Sequence, residues 1–371
     1  DFEEFMSFCR SSTPRIEPVI TVNFGTGTPQ EAADWVYYAN IYKGYGIKYW
    51  EVGNEMSGNW EAGGPLRAED YARRYIEFAQ AMKAVDPTIK MFGPVAYGTR
   101  VRAENYSAQT WIEGFLARLD SAGKANLVDV IDYHAYAFWQ NDNEATLLNT
   151  PANHNADVPF LRGLITTYHP SPSSVGLFMG EYNSGSATEN TVKLVNGLFT
   201  ADYLMRFVYN GGEMAALWNM FEGLGQAANG TWGAHGEIEN GSLAAAQAAY
   251  RYQPRSSYRA LQALNLGFSL PDPETNNLVS CTSTQPLLSV YANTRSDGKT
   301  SLLLVNKSPT IAYTTTINVS GFTPAASADV WTWNATNYVW VINGANGYAN
   351  PDTAPTKTIL ATAGASFSYS V

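Results

Sequence analysis

Short apolar runs alternate with longer stretches whose apolar residues recur every three or four positions, and this alternation persists over residues 1–270. The runs at 18–24, 47–52, 89–94, 128–134, 175–181 and 213–219 read as buried β-strands. Between them lie helical patterns at 29–42, 68–85, 109–121 and 191–210. In the clearest, Tyr71, Tyr75, Phe78, Ala79 and Met82 share one face, and Asp86-Pro87 stops it. Gly211-Gly212 ends the last of them. Residues 1–10 read as a helix leading into the first strand. Successive βα units at this spacing predict an α/β fold of the (β/α)8 barrel type. A closed barrel needs eight strands and the pattern supplies six, so the first two βα units are expected to be absent. An open doubly wound sheet is the other arrangement, and its nucleotide-binding version would need a Gly-x-Gly-x-x-Gly turn that the chain lacks.

After a last helix at 256–266, Pro271-Asp272-Pro273 marks a linker and the pattern changes. Short β-like runs follow at 287–292, 300–306, 313–319, 328–334, 338–341, 356–360 and 366–371, separated by turn residues, which predicts a C-terminal all-β sandwich. The expected domains are therefore 1–270, a barrel incomplete at its N-terminal side, and 271–371, a β-sandwich whose closing strand is missing.

Composition narrows the partners. A net charge of −10 lacks the basic footprint of a nucleic-acid binder. No run is long and apolar enough to span a membrane. Only 15% of the 371 residues are charged, so Asn, Thr, Ser, Gln and Tyr must make much of the surface. That balance suits a secreted protein handling neutral polymers. Aromatics reach 13%, with 10 Trp and 23 Tyr. Most pack in cores, but those near strand ends can serve as flat platforms for sugar rings. Four His and two distant Cys give no metal-ligand cluster, and no metal or cofactor is expected. Cys9 and Cys281 are compatible with a disulfide or with two free thiols. Asn105, Asn229, Asn240, Asn306, Asn318 and Asn334 head Asn-x-Ser/Thr sequons, which favour secretion and glycosylation. Asp1 reads as the start of a mature or truncated chain.

Two carboxylates then stand out. Glu55, in Tyr-Trp-Glu-Val-Gly-Asn-Glu-Met, and Glu181, in Gly-Leu-Phe-Met-Gly-Glu-Tyr-Asn-Ser, each close an apolar run. A carboxylate there is costly without a partner or a task. With two units absent, they would end strands four and seven and face each other across the barrel mouth, as a pair cleaving glycosidic bonds requires. Asn54 offers an amide to a sugar hydroxyl. His134 and Tyr136, in Asp-Tyr-His-Ala-Tyr, end the strand before that of Glu181, and the Tyr136 hydroxyl is placed to donate to Glu181. Trp218, Trp60 and Trp139 are candidate sugar platforms, and Asn23 either lines the pocket or caps the turn Gly25-Thr26-Gly27. The plainer roles are ion pairs of Glu51 or Glu55 with Arg73 or Lys48, a strand-end ion pair for Glu181, core packing for Trp218, a hydrogen-bonded core position for His134, and solvated or capping positions for Asp132 and Asp142.

These segments resemble the retaining glycoside hydrolases of clan A, the 4/7 superfamily, and within it the α-L-arabinofuranosidases of family 51. The likeness is carried by Thr21-Val-Asn-Phe-Gly-Thr-Gly-Thr-Pro, Lys48-Tyr-Trp-Glu-Val-Gly-Asn-Glu-Met, Ala81-Met-Lys-Ala-Val-Asp-Pro and Gly180-Glu-Tyr-Asn. It implies Glu55 as acid/base, Glu181 as nucleophile, Asn54 on the hydroxyl beside the anomeric carbon, and Tyr136 supporting the nucleophile. The family's pocket-lining Arg and Asn on its first two strands have no counterpart, so a second chain or segment is expected to complete the barrel. The implied substrate is a plant-type polysaccharide or oligosaccharide. Loops 141–159 and 223–240 would decide between arabinofuranosidase and the endo-β-1,4-glycanases (glucanase, xylanase or mannanase) of the same clan. A non-catalytic carbohydrate-binding protein on a hydrolase fold is the alternative of another class.

Overall fold

The computed structural model describes residues 1–102, 110–137, 143–185, 188–271, 273–362 and 364–371. Trp139, Asp142, Asp272 and the Asn105 sequon lie outside the described residues. The chain forms two compact units, one of residues 1–136, 153–182 and 210–216, the other of 137–152, 183–209 and 217–371. Helices run in the order α1 (Phe2–Ser11), α2 (Pro29–Val36), α3 (Ala68–Val85), α4 (Trp111–Ser121), α5 (Glu144–Leu147), α6 (His154–Tyr168), α7 (Leu194–Tyr209) and α8 (Ser256–Ala263).

The first unit is built on a six-stranded parallel half-barrel sheet. Its strands are β1 (Val19–Val22), β2 (Tyr49–Val52), β3 (Lys90–Ala96), β4 (Val130–Tyr136), β5 (Gly176–Asn183) and β6 (Met214–Leu217), in sequence order across the sheet. Val19 sits opposite Tyr49, Tyr49 opposite Lys90, and Phe92 opposite Val130. One side chain from each strand meets in an apolar layer of Val19, Tyr49, Phe92, Val130, Phe178 and Met214. Two residues further along each strand the pleat returns to the same face. It presents Thr21, Glu51, Pro94, Asp132, Gly180 and Ala216. A layer containing Thr21, Glu51 and Asp132 therefore lies on top of an apolar one.

The helices form where local chemistry allows them. Thr28 caps α2 by accepting the Glu31 N–H at 3.1 Å, with Pro29 in the first turn. The predicted helix 29–42 is α2 followed by a π-helical turn, Tyr37–Tyr42. In α3, which matches its predicted span, Tyr71, Tyr75, Phe78, Ala79 and Met82 are buried on one face. Tyr71 packs tilted and Tyr75 edge-on against Phe115 of α4, and the Tyr71 hydroxyl donates to the Val52 carbonyl at the end of β2. The reading of 141–159 as loop is corrected in part: α6 begins at His154, with Pro159 inside it and Val158, Leu161 and Ile165 buried. A proline in a helix interior removes a hydrogen bond and is disfavoured, which hid this helix in the sequence.

In the second unit, α7 and α8 pack through Ala201, Met205, Ala260, Leu264 and Phe268 against Tyr291. Tyr291 belongs to an antiparallel sheet of strands Asn276–Val279, Leu288–Arg295 and Thr300–Asn306. The predicted run at 366–371 pairs antiparallel with Thr314–Asn318, and Ser327–Thr332 pairs with Thr356–Ala361. Strands Asn276–Val279 and Tyr348–Asp352 carry little hydrophobic alternation and were not predicted. Cys9 and Cys281 are free thiols. Among the described residues, no helix is long and apolar enough to cross a membrane.

Arg259 of α8 makes a bidentate pair with Asp352, at 2.7 and 3.0 Å, with 12% and 5% of the two side chains exposed. Arg259→Met leaves the Asp352 charge buried alone and should cost about 3–5 kcal/mol in urea unfolding. Adding Asp352→Leu should recover most of that loss. An unchanged midpoint for Arg259→Met would contradict the buried-pair assignment.

Candidate active site

Glu55 and Glu181 stand together on the first unit. Oxygens of both and a ring nitrogen of His134 lie within 4.8 Å of one another. Glu55 Oε1 is 2.6 Å from His134 Nδ1, and the same nitrogen is 3.6 Å from Glu181 Oε2. His134, on β4, is buried between two partly exposed carboxyl groups.

The backbone aims Glu55. Gly53, at φ +77°, begins the departure from β2, and a Cβ there would lie 2.7 Å from Phe24 Cβ, so glycine is required twice over. Glu55 itself sits in the left-handed region at φ +43°. Its N–H donates to the Val95 carbonyl at 3.0 Å. Val95 is also left-handed, at φ +55°, and interrupts the register between β3 and β4 after Pro94. A β-branched residue in that conformation is strained, and such strain concentrates where a bulge re-aims a functional group. Here the bulge turns a carbonyl towards Glu55.

Each carboxyl has a dedicated donor. The Trp60 indole N–H donates to Glu55 Oε2 at 2.6 Å, and the Trp60 ring meets Tyr97 edge-on. The Tyr136 hydroxyl donates to Glu181 Oε2 at 2.6 Å. Burial pushes the Glu181 carboxyl up, and the His134 charge and the Tyr136 hydrogen bond pull it partly back. Burial would lower the His134 imidazole, but the Glu55 hydrogen bond and the charges of Glu181 and Glu55 outweigh it, so the imidazole is raised. These oxygens are thus already engaged by N–H and O–H donors, an arrangement suited to proton transfer and nucleophilic attack.

The other predicted residues divide. The Asn54 amide donates to Glu61 Oε1 at 2.9 Å, a partner the sequence reading missed. Asn23 takes the capping role, accepting the Thr26 N–H at 3.1 Å. Trp218 belongs to the second unit, where its carbonyl accepts from Asn183 Nδ2 at 2.6 Å and its side chain is 45% exposed. Two expectations are corrected. Asp132 is fully buried rather than solvated or capping. Glu51 accepts from the Thr21 hydroxyl, while Arg73 pairs with Asp70. Strand alternation, which puts Glu51 and Asp132 on one face, was the signal available for both.

Comparison with known proteins follows the same lines. An α-L-arabinofuranosidase from Thermotoga maritima, solved with arabinose, superposes with a TM-score of 0.69 at 22% identity, covering 100% of this chain and 76% of that one. A family 44 endoglucanase from Clostridium thermocellum superposes with a TM-score of 0.65 at 18% identity, covering 99% and 75%. In sequence, a probable α-L-arabinofuranosidase C from Aspergillus clavatus is 38% identical over 104 residues, which is 24% of this chain and 20% of that protein. The aligned part thus spans about a fifth of that relative. The family model described as glycosyl hydrolase family 79, N-terminal domain, matches residues 15–204, just over half of the chain and a span that contains Asn54, Glu55, His134, Tyr136 and Glu181. By that match the chain belongs to glycosyl hydrolase family 79, within the clan A glycoside hydrolases.

Proposed function

We propose that this protein is a retaining glycoside hydrolase, α-L-arabinofuranosidase-like, that cleaves plant-type polysaccharide or oligosaccharide by double displacement. The observation that carries the reading is the separation of the two carboxyl groups, within 4.8 Å with His134 beside both. Retaining enzymes hold their carboxyls roughly 5–5.5 Å apart, whereas inverting enzymes leave roughly 6.5–9.5 Å for a water.

In the first step the Glu181 carboxylate attacks the anomeric carbon while Glu55 gives its proton to the departing glycosidic oxygen. In the second, Glu55 takes a proton from water, the resulting hydroxide equivalent attacks the same carbon, and the Glu181 ester bond breaks. Tyr136 holds Glu181 in place, Trp60 and His134 hold Glu55, and Asn54 binds the hydroxyl beside the anomeric carbon. No cofactor takes part.

The fold reading belongs to the same proposal: residues 1–270 as a (β/α)8-type barrel with β2 and β5 as strands four and seven, and 271–371 as a β-sandwich. It calls for two further βα units beside β1, from a second chain or another segment. Exposed Phe5, Phe8, Tyr37, Ile41 and Tyr42, in α1 and the turn after α2, support a covering partner there. The sequons support secretion. The likeness to family 44 endoglucanases supports a second reading, an endo-β-1,4-glycanase using the same residues.

Glu181→Ala should abolish formation of a glycosyl-enzyme detectable by intact mass. Glu55→Ala should lower kcat by about 10²–10⁴-fold on natural linkages, with activity on aryl glycosides of good leaving groups partly spared. Full activity in either variant would sink the assignment, and sugar binding without turnover by the unmodified protein would favour the non-catalytic alternative. In NMR titrations the His134 imidazole should titrate above its ordinary value of about 6.5 and fall in Glu55→Gln. An unshifted His134 would contradict its hydrogen bond to Glu55.

A further inference from the structure

Beneath the two catalytic carboxyls lie two more that the reaction does not use. Glu51 of β2 and Asp132 of β4 are buried, and one oxygen of each lies with a His134 ring nitrogen inside 4.8 Å. The strands on either side leave room for the Asp132 carboxyl without solvating it. Pro94, opposite Asp132 on β3, has no N–H to offer. Gly180, immediately before Glu181 on β5, has no side chain, and a Cβ there would lie 2.4 Å from Asp132 Oδ1. Among the described residues, no N–H or O–H group meets either Asp132 oxygen with hydrogen-bond geometry. Glu51 does have a donor, the Thr21 hydroxyl of β1.

A buried carboxylate that no protein donor meets with good geometry is costly to hold ionised. A carboxylic acid in the same place supplies its own donor. We infer that Asp132 carries a proton that it shares with the Glu51 carboxylate, so that the pair holds one negative charge, and that this limits the charge facing Glu181 from below. The two are then a positioning pair: neither touches the sugar, and both act through the ionisation of Glu181.

The surroundings agree. Burial first, then the charges of Glu51 and Glu181, push the Asp132 carboxyl well above the carboxylate range, and the poorly aligned Gly180 N–H opposes this only in part. The imidazole beside the pair is that of His134, and its Nδ1 is committed to Glu55. From α3, Tyr71 faces the pair, but its hydroxyl is spent on the Val52 carbonyl and its own ionisation is driven far up by burial. Four acids share this region with one imidazole, and they cannot all be ionised.

The protonation rests on geometry alone, while the role rests on the glycosidase reading, so the tests are kept apart. In the resting full-length protein, the infrared difference between wild type and Asp132→Asn should contain a protonated-carboxyl C=O band that persists at about pH 7 and disappears in Glu51→Gln, where an amide replaces the charge. Absence of that band in wild type at about pH 7 would overturn the inference, whatever the activity, and the pH titration of wild type alone decides it if a variant fails to fold. Because Asp132 is held neutral when folded but ionises above about pH 4 when unfolded, wild type should lose thermal stability relative to Asp132→Asn as pH rises from about 5 to 8. For the role, Asp132→Asn preserves a neutral donor and should keep kcat within about threefold, with the acidic limb of kcat/KM unmoved. A downward move of that limb would mean that Asp132 had carried a charge, and would overturn the role.

Discussion

Carboxyl groups taken out of water must find a donor, a cation or a proton, and on one face of this half-barrel four of them compete for very few of each. Glu55, Glu181, Glu51 and Asp132 meet that demand in different ways. Glu55 takes the Trp60 indole and His134, and Glu181 takes the Tyr136 hydroxyl. Glu51 takes the Thr21 hydroxyl, and among the described residues no N–H or O–H meets Asp132 with hydrogen-bond geometry. The two glutamates thus differ in their hydrogen-bond partners, and the proposed reaction gives them different tasks, acid/base for Glu55 and nucleophile for Glu181.

The sheet makes the competition unavoidable. Its pleat stacks an apolar layer of one side chain per strand under a layer containing Thr21, Glu51 and Asp132, and the strand ends place Glu55 and Glu181 above them. Close approach between the layers requires residues with little or nothing to add. Gly180 admits the Asp132 carboxyl, Gly53 lets β2 pass Phe24, and the Val95 bulge hands a carbonyl to Glu55. Two of the three described non-glycine residues with positive φ, Glu55 and Val95, thus lie at the candidate site, where the strain fixes direction rather than adding stability.

Much of this was legible in the chain. Six strands and the Ala68–Val85 helix follow from the spacing of apolar residues, because burial on a parallel sheet imposes continuous runs and a helix face imposes a period. Glu55, Glu181, His134 and Tyr136 could be brought together because all close core strands. The rest depended on contacts that local pattern does not encode. The Pro159-containing helix contradicts its own propensity, and the short strands at Asn276–Val279 and Tyr348–Asp352 form only because a partner strand is present. Asp132 was misjudged because an acidic residue is usually exposed, although strand alternation and the glycine and proline on the adjacent strands are consistent with its burial.

The central claim is that Glu55 and Glu181 act as a closely spaced acid/base and nucleophile. The most direct measurement is the anomeric configuration of the first-formed product, followed by proton NMR from the start of hydrolysis, before mutarotation. Two successive displacements at one carbon predict net retention of configuration. Inversion in the first-formed product would require a single displacement by water, which two carboxyls this close leave no room for, and would contradict the account.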